Sequence, residues 1–196
     1  MPREVRERQM MDAAVRTFGR RGYQAASMDE IAELAGVSKP LVYLYLHSKE
    51  ELFTSCIRRE SRALLAVVAA AVEGEGAAEE RLSAGLLAFF THTAEHPDAW
   101  AVLSRQARAQ GEPFATEAER MRAEIAGYVA ELIGAAAQGP CDAEGLAQAL
   151  VGAAESLANW ANGPAGMLPR QAAATLMSLV WAGLGSLTAH GGDLSK

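Results

Sequence analysis

The sequence predicts an all-α protein: a three-helix, helix-turn-helix head joined by a long connecting helix to a larger helical body. Three observations predict it. Apolar residues recur at i, i+3 and i+4 through most of the chain, the period of an amphipathic helix. Beyond Ala77, alanine, leucine and glutamate dominate, and the alternation of a half-buried strand is missing. The breaks "HPD", "GEP", "QGPCD" and "NGPAGMLP" each carry Gly or Pro, as helix ends do. With 50% hydrophobic and 21% charged residues, the 196-residue chain has ample material for a core.

The first helix is predicted from Arg3 to Arg20, with Met10, Ala14 and Phe18 forming a core stripe. Arg3, Arg6 and Arg8 fall on its exposed side, suited to phosphate or to solvent. Gly22 ends it, and Arg20 and Arg21 suit its negative end. The stretch "SMDEIAELAGVSKPLVYLYLHSKEEL", Ser27 to Leu52, follows. Ser27 is an N-cap, and Glu30 completes a capping box. Ile31, Leu34 and Ala35 form one helical face. Gly36 then stops the helix, and Val37 can plug the bend. Ser38 is a second N-cap, with Pro40 in the first turn, where a missing N–H costs nothing. Leu41, Val42 and Leu46 can anchor this helix, leaving Lys39, Leu41, Tyr43 and Tyr45 as candidates for an outer face. Ser48 caps a long helix that begins near Lys49, with Glu51 at its third position, and runs to Val72. After "GEGAA", helical patterns cover about 77–96, 98–110, 113–138, 142–162 and 168–190, and "GGDLSK" is expected to be a disordered tail.

Helix, glycine turn, helix is the layout whose second helix enters the DNA major groove, although two ordinary packed helices share the pattern. The block "IAELAGVSKPLVYLYLHSKEELF", preceded by "MMDAAVRTFGRRGYQAASM", is more specific. It resembles the N-terminal domain of the TetR family of transcriptional regulators, without a gap, over about the first third of the chain. Phe18, Gly22, Ile31, Ala32, Gly36, Val37, Ser38, Tyr43, Lys49 and Leu52 carry the resemblance. Two departures stand out. Leu46 replaces a common aromatic, and Pro40-Leu41 replaces Gly-Thr or similar, which leaves the operator sequence open but not the binding mode.

The resemblance implies that Tyr43 and Lys49 hold phosphates and fix register. Ser27, or amides at its helix start, can do the same, since helix N-termini attract anions. The DNA-facing set is then Ser27, Ser38, Lys39, Pro40, Leu41, Tyr43, Tyr45 and Lys49. Of these, Lys39, Leu41 and Tyr45 point toward base edges. Lys39 suits guanine acceptors, and Leu41 or Pro40 suits a thymine methyl. The expected domains are a head at 1–49, with its motif at 27–46, and a ligand-binding and dimerisation body at 50–196. The boundary falls inside a helix, which can pass on a tilt where a flexible linker could not.

The net charge of −6 looks wrong for a DNA binder, but it is unevenly spread. Residues 1–62 hold 11 Lys and Arg against 9 Asp and Glu; the rest hold 7 against 15. A locally basic face can bind phosphates on an acidic molecule.

The last two long patterns are apolar nearly all round, so each must be covered on several sides. Leu146, Leu150, Ala153, Leu157 and Trp160 line the first; Leu176, Leu179, Gly183 and Leu187 line the second. A four-helix bundle across a two-fold axis is expected, in line with the family's usual homodimer; an internal core is the plainer alternative. The resemblance also implies a small-molecule effector. Phe89, Phe90, His92, Trp100, Met121, Tyr128, Trp160, Met177 and Trp181 are candidates to line its cavity, or to be plain core.

A rival reading is a zinc-binding protein or hydrolase. "HTAEH", His92 to His96, fits the H-x-x-E-H zinc-protease pattern with both histidines on one helix face. Such an enzyme also needs a further acidic ligand and a substrate cleft, and Pro97 follows at once, placing His96 at the last turn. No phosphate-cradling glycine loop or Ser/His/Asp spacing appears, so neither enzyme activity nor a cofactor or metal is expected. Cys56 and Cys141 stand far apart with no CxxC partner. The longest apolar run, Ala63 to Val72, is about half of the roughly 20 residues a span needs, and the N-terminus is charged from Arg3. The expected setting is the cytoplasm, with double-stranded DNA as partner and no membrane.

Overall fold

A computed structural model describes residues 3–137, 140–164 and 166–190, without the side chains of Leu46 and 181–190. The helices are α1 (Arg3–Arg21), α2 (Met28–Ala35), α3 (Lys39–Leu46), α4 (Lys49–Val72), α5 (Ala78–Glu95), α6 (Pro97–Ala101), α7 (Ala107–Ala109), α8 (Phe114–Ala136), α9 (Ala143–Ala161) and α10 (Pro169–His190). A π-helical turn, Val102–Gln106, joins α6 to α7. The fold is all-α, as the periodicity requires, and most helix ends fall at the Gly and Pro breaks. The expected tail lies outside the described residues.

The chain divides into two compact units. The first takes residues up to Ala63 together with His96–Met121. This grouping differs from a line drawn at 49/50. Its core contains Met10, Phe18, Ile31, Val42, Leu52, Phe53, Cys56 and Ile57, all fully buried. Four rings meet there. Phe53 lies 4.8 Å from Phe18, 4.8 Å from Tyr23 and 4.9 Å from Phe114, between centroids. Tyr23 and Phe114 are 5.2 Å apart. These rings tie α1, the loop after it, α4 and the start of α8 into one core.

The 96–121 segment is also fastened by backbone fit and polar contacts. At Gly19 a Cβ would lie 2.5 Å from the Asp98 carbonyl oxygen, so α1 and α6 approach through a missing side chain. Arg20 Nε bonds the Asp98 carboxylate at 3.1 Å, and Gln24 Nε2 donates to Gln110 Oε1 at 2.8 Å. Arg58 Nη2 bonds Glu117 Oε1 at 2.6 Å and, with burial opposing it, holds that carboxyl below its usual range. Arg59 joins Asp12 on α1, at 2.7 Å, to its neighbour Glu60.

The second unit takes Leu64–Glu95 and the chain from Arg122. Leu64, Val68, Val72, Leu82, Leu86, Phe90, Leu132, Ile133, Leu150 and Leu176 are buried in it. Gly85 lets α5 pack close, since a Cβ there would meet Val72 Cγ1 at 2.6 Å. Arg81 Nε donates to the Val72 carbonyl at 2.6 Å, capping α4. Half-buried Arg122 on α8 pairs with Glu155 on α9 at 3.4 Å. α4 and α8 each begin in the first unit and end in the second.

Gly19 and Gly127 make a paired test, because a Cβ at Gly127 meets nothing within 4 Å. Gly19→Ala is expected to cost about 1–3 kcal/mol through overpacking. Gly127→Ala, inside an exposed helical turn, should gain about 0.5–1 kcal/mol. Urea denaturation of the two variants measures both.

Candidate nucleic-acid interface

α2 and α3 are set by local chemistry. Ser27 caps α2, its Oγ accepting from Asp29 N at 3.2 Å. The expected capping box is only half made, because the Glu30 carboxylate accepts from Arg21 Nε at 3.2 Å. Gly36 has φ 67°, and Val37 N donates to the Ala32 carbonyl at 3.0 Å. That six-to-one bond, with a left-handed glycine, is the Schellman stop that turns the chain into α3. Ser38 caps α3 through its carbonyl, which accepts from Leu41 N at 3.0 Å, while its hydroxyl makes no capping bond. α3 ends on His47, which has φ 47° without being glycine.

Val42 is the fully buried anchor of α3. At about 100° per residue, Pro40 and Leu44 then lie nearly opposite it. Lys39, Pro40, Tyr43, Leu44 and His47 are the exposed side, with Tyr43 41% and Leu44 71% exposed. Leu41 and Tyr45 are half-buried on the flank, and the Arg3 guanidinium lies 5.1 Å from the Tyr45 ring centre. Of the expected face, Lys39 and Tyr43 are exposed and Leu41 and Tyr45 are not; the exposed Leu44 was not among the expected residues. A helical wheel centred on Val42 would have found it. Ser27 and Ser38 are exposed.

Both lysines of the site already have protein partners. Lys39 Nζ donates to Asp29 Oδ2 at 2.9 Å, and that bond raises the lysine pKa above its ordinary value. Half-buried Lys49 donates to the Gln24 carbonyl at 3.1 Å, with its ammonium 4.9 Å from the Tyr23 ring centre. Burial, and then the charge of Glu50, push the Tyr23 hydroxyl pKa up. Ser48 Oγ accepts from Glu51 N at 3.0 Å, fixing the start of α4. Arg3 and Arg8 are exposed and Arg6 is half-buried.

The expected effector residues are divided between the two units. Trp100 and Met121 belong to the first unit and are buried there. Phe89 and Phe90 lie edge to face at 5.3 Å within the second unit. His92, Tyr128 and Met177 are half-buried, and Trp181 lies outside the described side chains. Trp160 is 54% exposed, so it sits on the surface of α9 instead of in an interior cavity.

The expected dimer stripe needs a similar correction. Leu150 and Leu176, each 4% exposed, are spent on the unit's own core. Leu146, Ala153 and Leu157 are half-buried, Leu179 is 68% exposed, and the side chains of Gly183 and Leu187 are not described. The open side of α9 carries Gly145, Ala149, Ser156 and Trp160 beside the polar Gln148 and Asn159, and that of α10 carries Ala174, Thr175, Ser178 and Leu179. Small residues with two large apolar ones suit close helix approach.

The zinc pattern does not survive as one helix face: α5 ends at Glu95 and His96 is the N-cap of α6. Among the described residues no three His, Cys, Asp or Glu are grouped to hold a metal. Burial pushes the Cys56 thiol pKa far up, while Cys141 is exposed, and neither is in a disulfide. None of the helices, among the described residues, is long and apolar enough to cross a membrane.

Residues 10–56 match the family of bacterial regulatory proteins, tetR family, and residues 78–183 match the tetracyclin repressor-like C-terminal domain. The HTH-type transcriptional activator FasR of Mycolicibacterium smegmatis is 42% identical over 90 residues, 46% of this chain and 41% of FasR. The HTH-type transcriptional regulator BetI of Rhizobium meliloti is 40% identical over 80 residues, 41% of this chain and 39% of BetI. The chain therefore spans about two-fifths of the length of these curated relatives. The crystal structure of a TetR-like transcriptional regulator from Rhodococcus sp. RHA1 is 38% identical, with a TM-score of 0.84 over 94% of this chain and 98% of that one.

The two left-handed positions of the motif predict opposite responses. Gly36→Ala should cost about 1–2 kcal/mol, because a Cβ opposes that conformation. His47→Gly should gain about 1 kcal/mol by relieving the same opposition. Thermal unfolding of both variants checks the pair.

Proposed function

The chain belongs to the TetR family of bacterial regulatory proteins, and on that premise we propose a dimeric, sequence-specific DNA-binding regulator, not an enzyme, working in the cytoplasm. The observation that carries this reading is the exposed side of α3, held outward by the buried Val42 and the Gly36 turn. In this reading residues 1–49 are the reading head and 50–196 the regulatory and dimerisation body. One head makes few base contacts, each good bidentate one worth only ~1–3 kcal/mol of discrimination. Two heads on a two-fold axis read two halves of a near-palindrome. The open, small-residue sides of α9 and α10 are the surface for that pairing.

A small-molecule effector, taken up among Phe89, Phe90, His92, Tyr128 and Met177 of the second unit, sets occupancy by population shift. It favours one arrangement of those helices over another. α4 and α8, continuous from one unit into the other, carry the change to the head. Repression relieved by the effector is the mode we propose. FasR, an activator by name, supports the opposite sign as the second reading.

Selection of bound duplexes from a random pool tests the function. A single near-palindromic consensus is expected, bound by a dimer. A monomer that enriches no sequence at low ionic strength would overturn it. Leu179→Glu should split the dimer, seen as a halved mass in light scattering, and lower operator affinity at least tenfold. Asp29→Asn should free Lys39 and remove a negative charge, raising affinity for all duplexes alike and steepening the salt dependence by up to about one unit of slope. Parallel salt titrations of wild type and variant measure it.

A further inference from the structure

We infer that Leu44 is a specificity-determining residue: it reads the C5-methyl group of a thymine in the major groove, so each half-site is marked by a methyl. The inference rests on the DNA-binding reading proposed above and goes beyond it in naming the residue and the base feature. Leu44 is 71% exposed, the most exposed large apolar side chain among the described residues. A lone exposed leucine needs no explanation. Leu44, however, stands one turn after exposed Pro40 and beside Tyr43, on the side of α3 opposite the buried Val42. The three make one apolar patch on the element that the helix-turn-helix layout delivers to the groove.

The chemistry of the rest of α3 narrows what that patch can read. Arg, Asn and Gln, which make bidentate pairs with guanine or adenine, do not occur between Ser38 and Ser48. Lys39, the one lysine in that stretch, is engaged by Asp29 at 2.9 Å. Pro40 carries no N–H. In the major-groove code the feature that an aliphatic side chain recognises is the thymine methyl, which unmodified cytosine and the purines lack. Seating Leu44 against it removes apolar surface from water on both sides. Neighbouring phosphates are left to Tyr43 and to the starts of α2 and α3.

The test uses the full-length protein and the duplex it selects from a random pool. Each thymine is replaced in turn by deoxyuridine, symmetrically in both half-sites, and affinity is read by fluorescence anisotropy at fixed salt. Loss of one buried methyl corresponds to about fourfold per half-site, hence about 15-fold per symmetric pair. That loss is expected at one or two positions per half-site. In Leu44→Ala the uridine penalty at one of those positions should disappear. Placing 5-methylcytosine there instead of cytosine should restore part of the wild-type affinity and none of the variant's.

Tight, selective binding that no uridine weakens would overturn the inference while leaving the regulator reading intact. So would a penalty that persists unchanged in Leu44→Ala, or a consensus without thymine. A protein that selects no duplex would overturn both. Leu44 is exposed, so the variant is expected to keep its fold, and an unchanged melting temperature verifies that.

Discussion

Four aromatic rings hold the reading head in shape. Phe18, Tyr23, Phe53 and Phe114 meet at centroid distances of 4.8 to 6.0 Å, and no two neighbours in the sequence supply them. Two of the pairs, Phe53 with Phe18 and Phe53 with Phe114, are edge to face, a geometry that adds about 0.5–1.5 kcal/mol each beyond burial. The dependence is strong because α2 and α3 are eight-residue helices, too short to persist alone in water. α2 takes its place from α1, and α3 from α2, and the rings fix α1. Tyr23 goes further: one side joins the cluster, and the Lys49 ammonium lies over its ring.

The exposed side of α3 is sparing with charge, although the head around it is not. The head's two lysines are neutralised or pinned before any nucleic acid arrives, Lys39 by Asp29 and Lys49 by the Gln24 carbonyl and Tyr23. DNA phosphates must compete with those partners. That lowers affinity for arbitrary sequence, where phosphate neutralisation supplies nearly all the binding. Discrimination then falls to the exposed side of α3, which is mostly apolar.

The motif was legible because its signals are local. Ser27, Gly36 and Ser38 each act within a turn of themselves, and the helix ends beyond follow Gly and Pro. The grouping of 96–121 with the head was not legible. It depends on Phe114 against Phe53 and on Gly19 against Asp98, pairs so distant along the chain that no periodicity links them. Only half of the outward side of α3 was legible, Lys39 and Tyr43 but not Pro40 and Leu44 as its centre, since an eight-residue helix of mostly apolar side chains gives little contrast to orient it. α9 and α10 give as little contrast. A helix apolar on every side says that it is covered, not by what, and Leu150 and Leu176 went to the chain's own core. The His92–His96 pattern assumed one unbroken helix, which Pro97 ended.

Phe114, far along the sequence, keeps the head folded through its contacts with Phe53 and Tyr23. Amide hydrogen exchange on Phe114→Ala, mapped by peptide, measures that dependence. Protection is expected to fall in α1, α2, α3 and the first turns of α4 together with α8. Loss confined to residues 97–121, with α1 to α3 protected as in wild type, would contradict it.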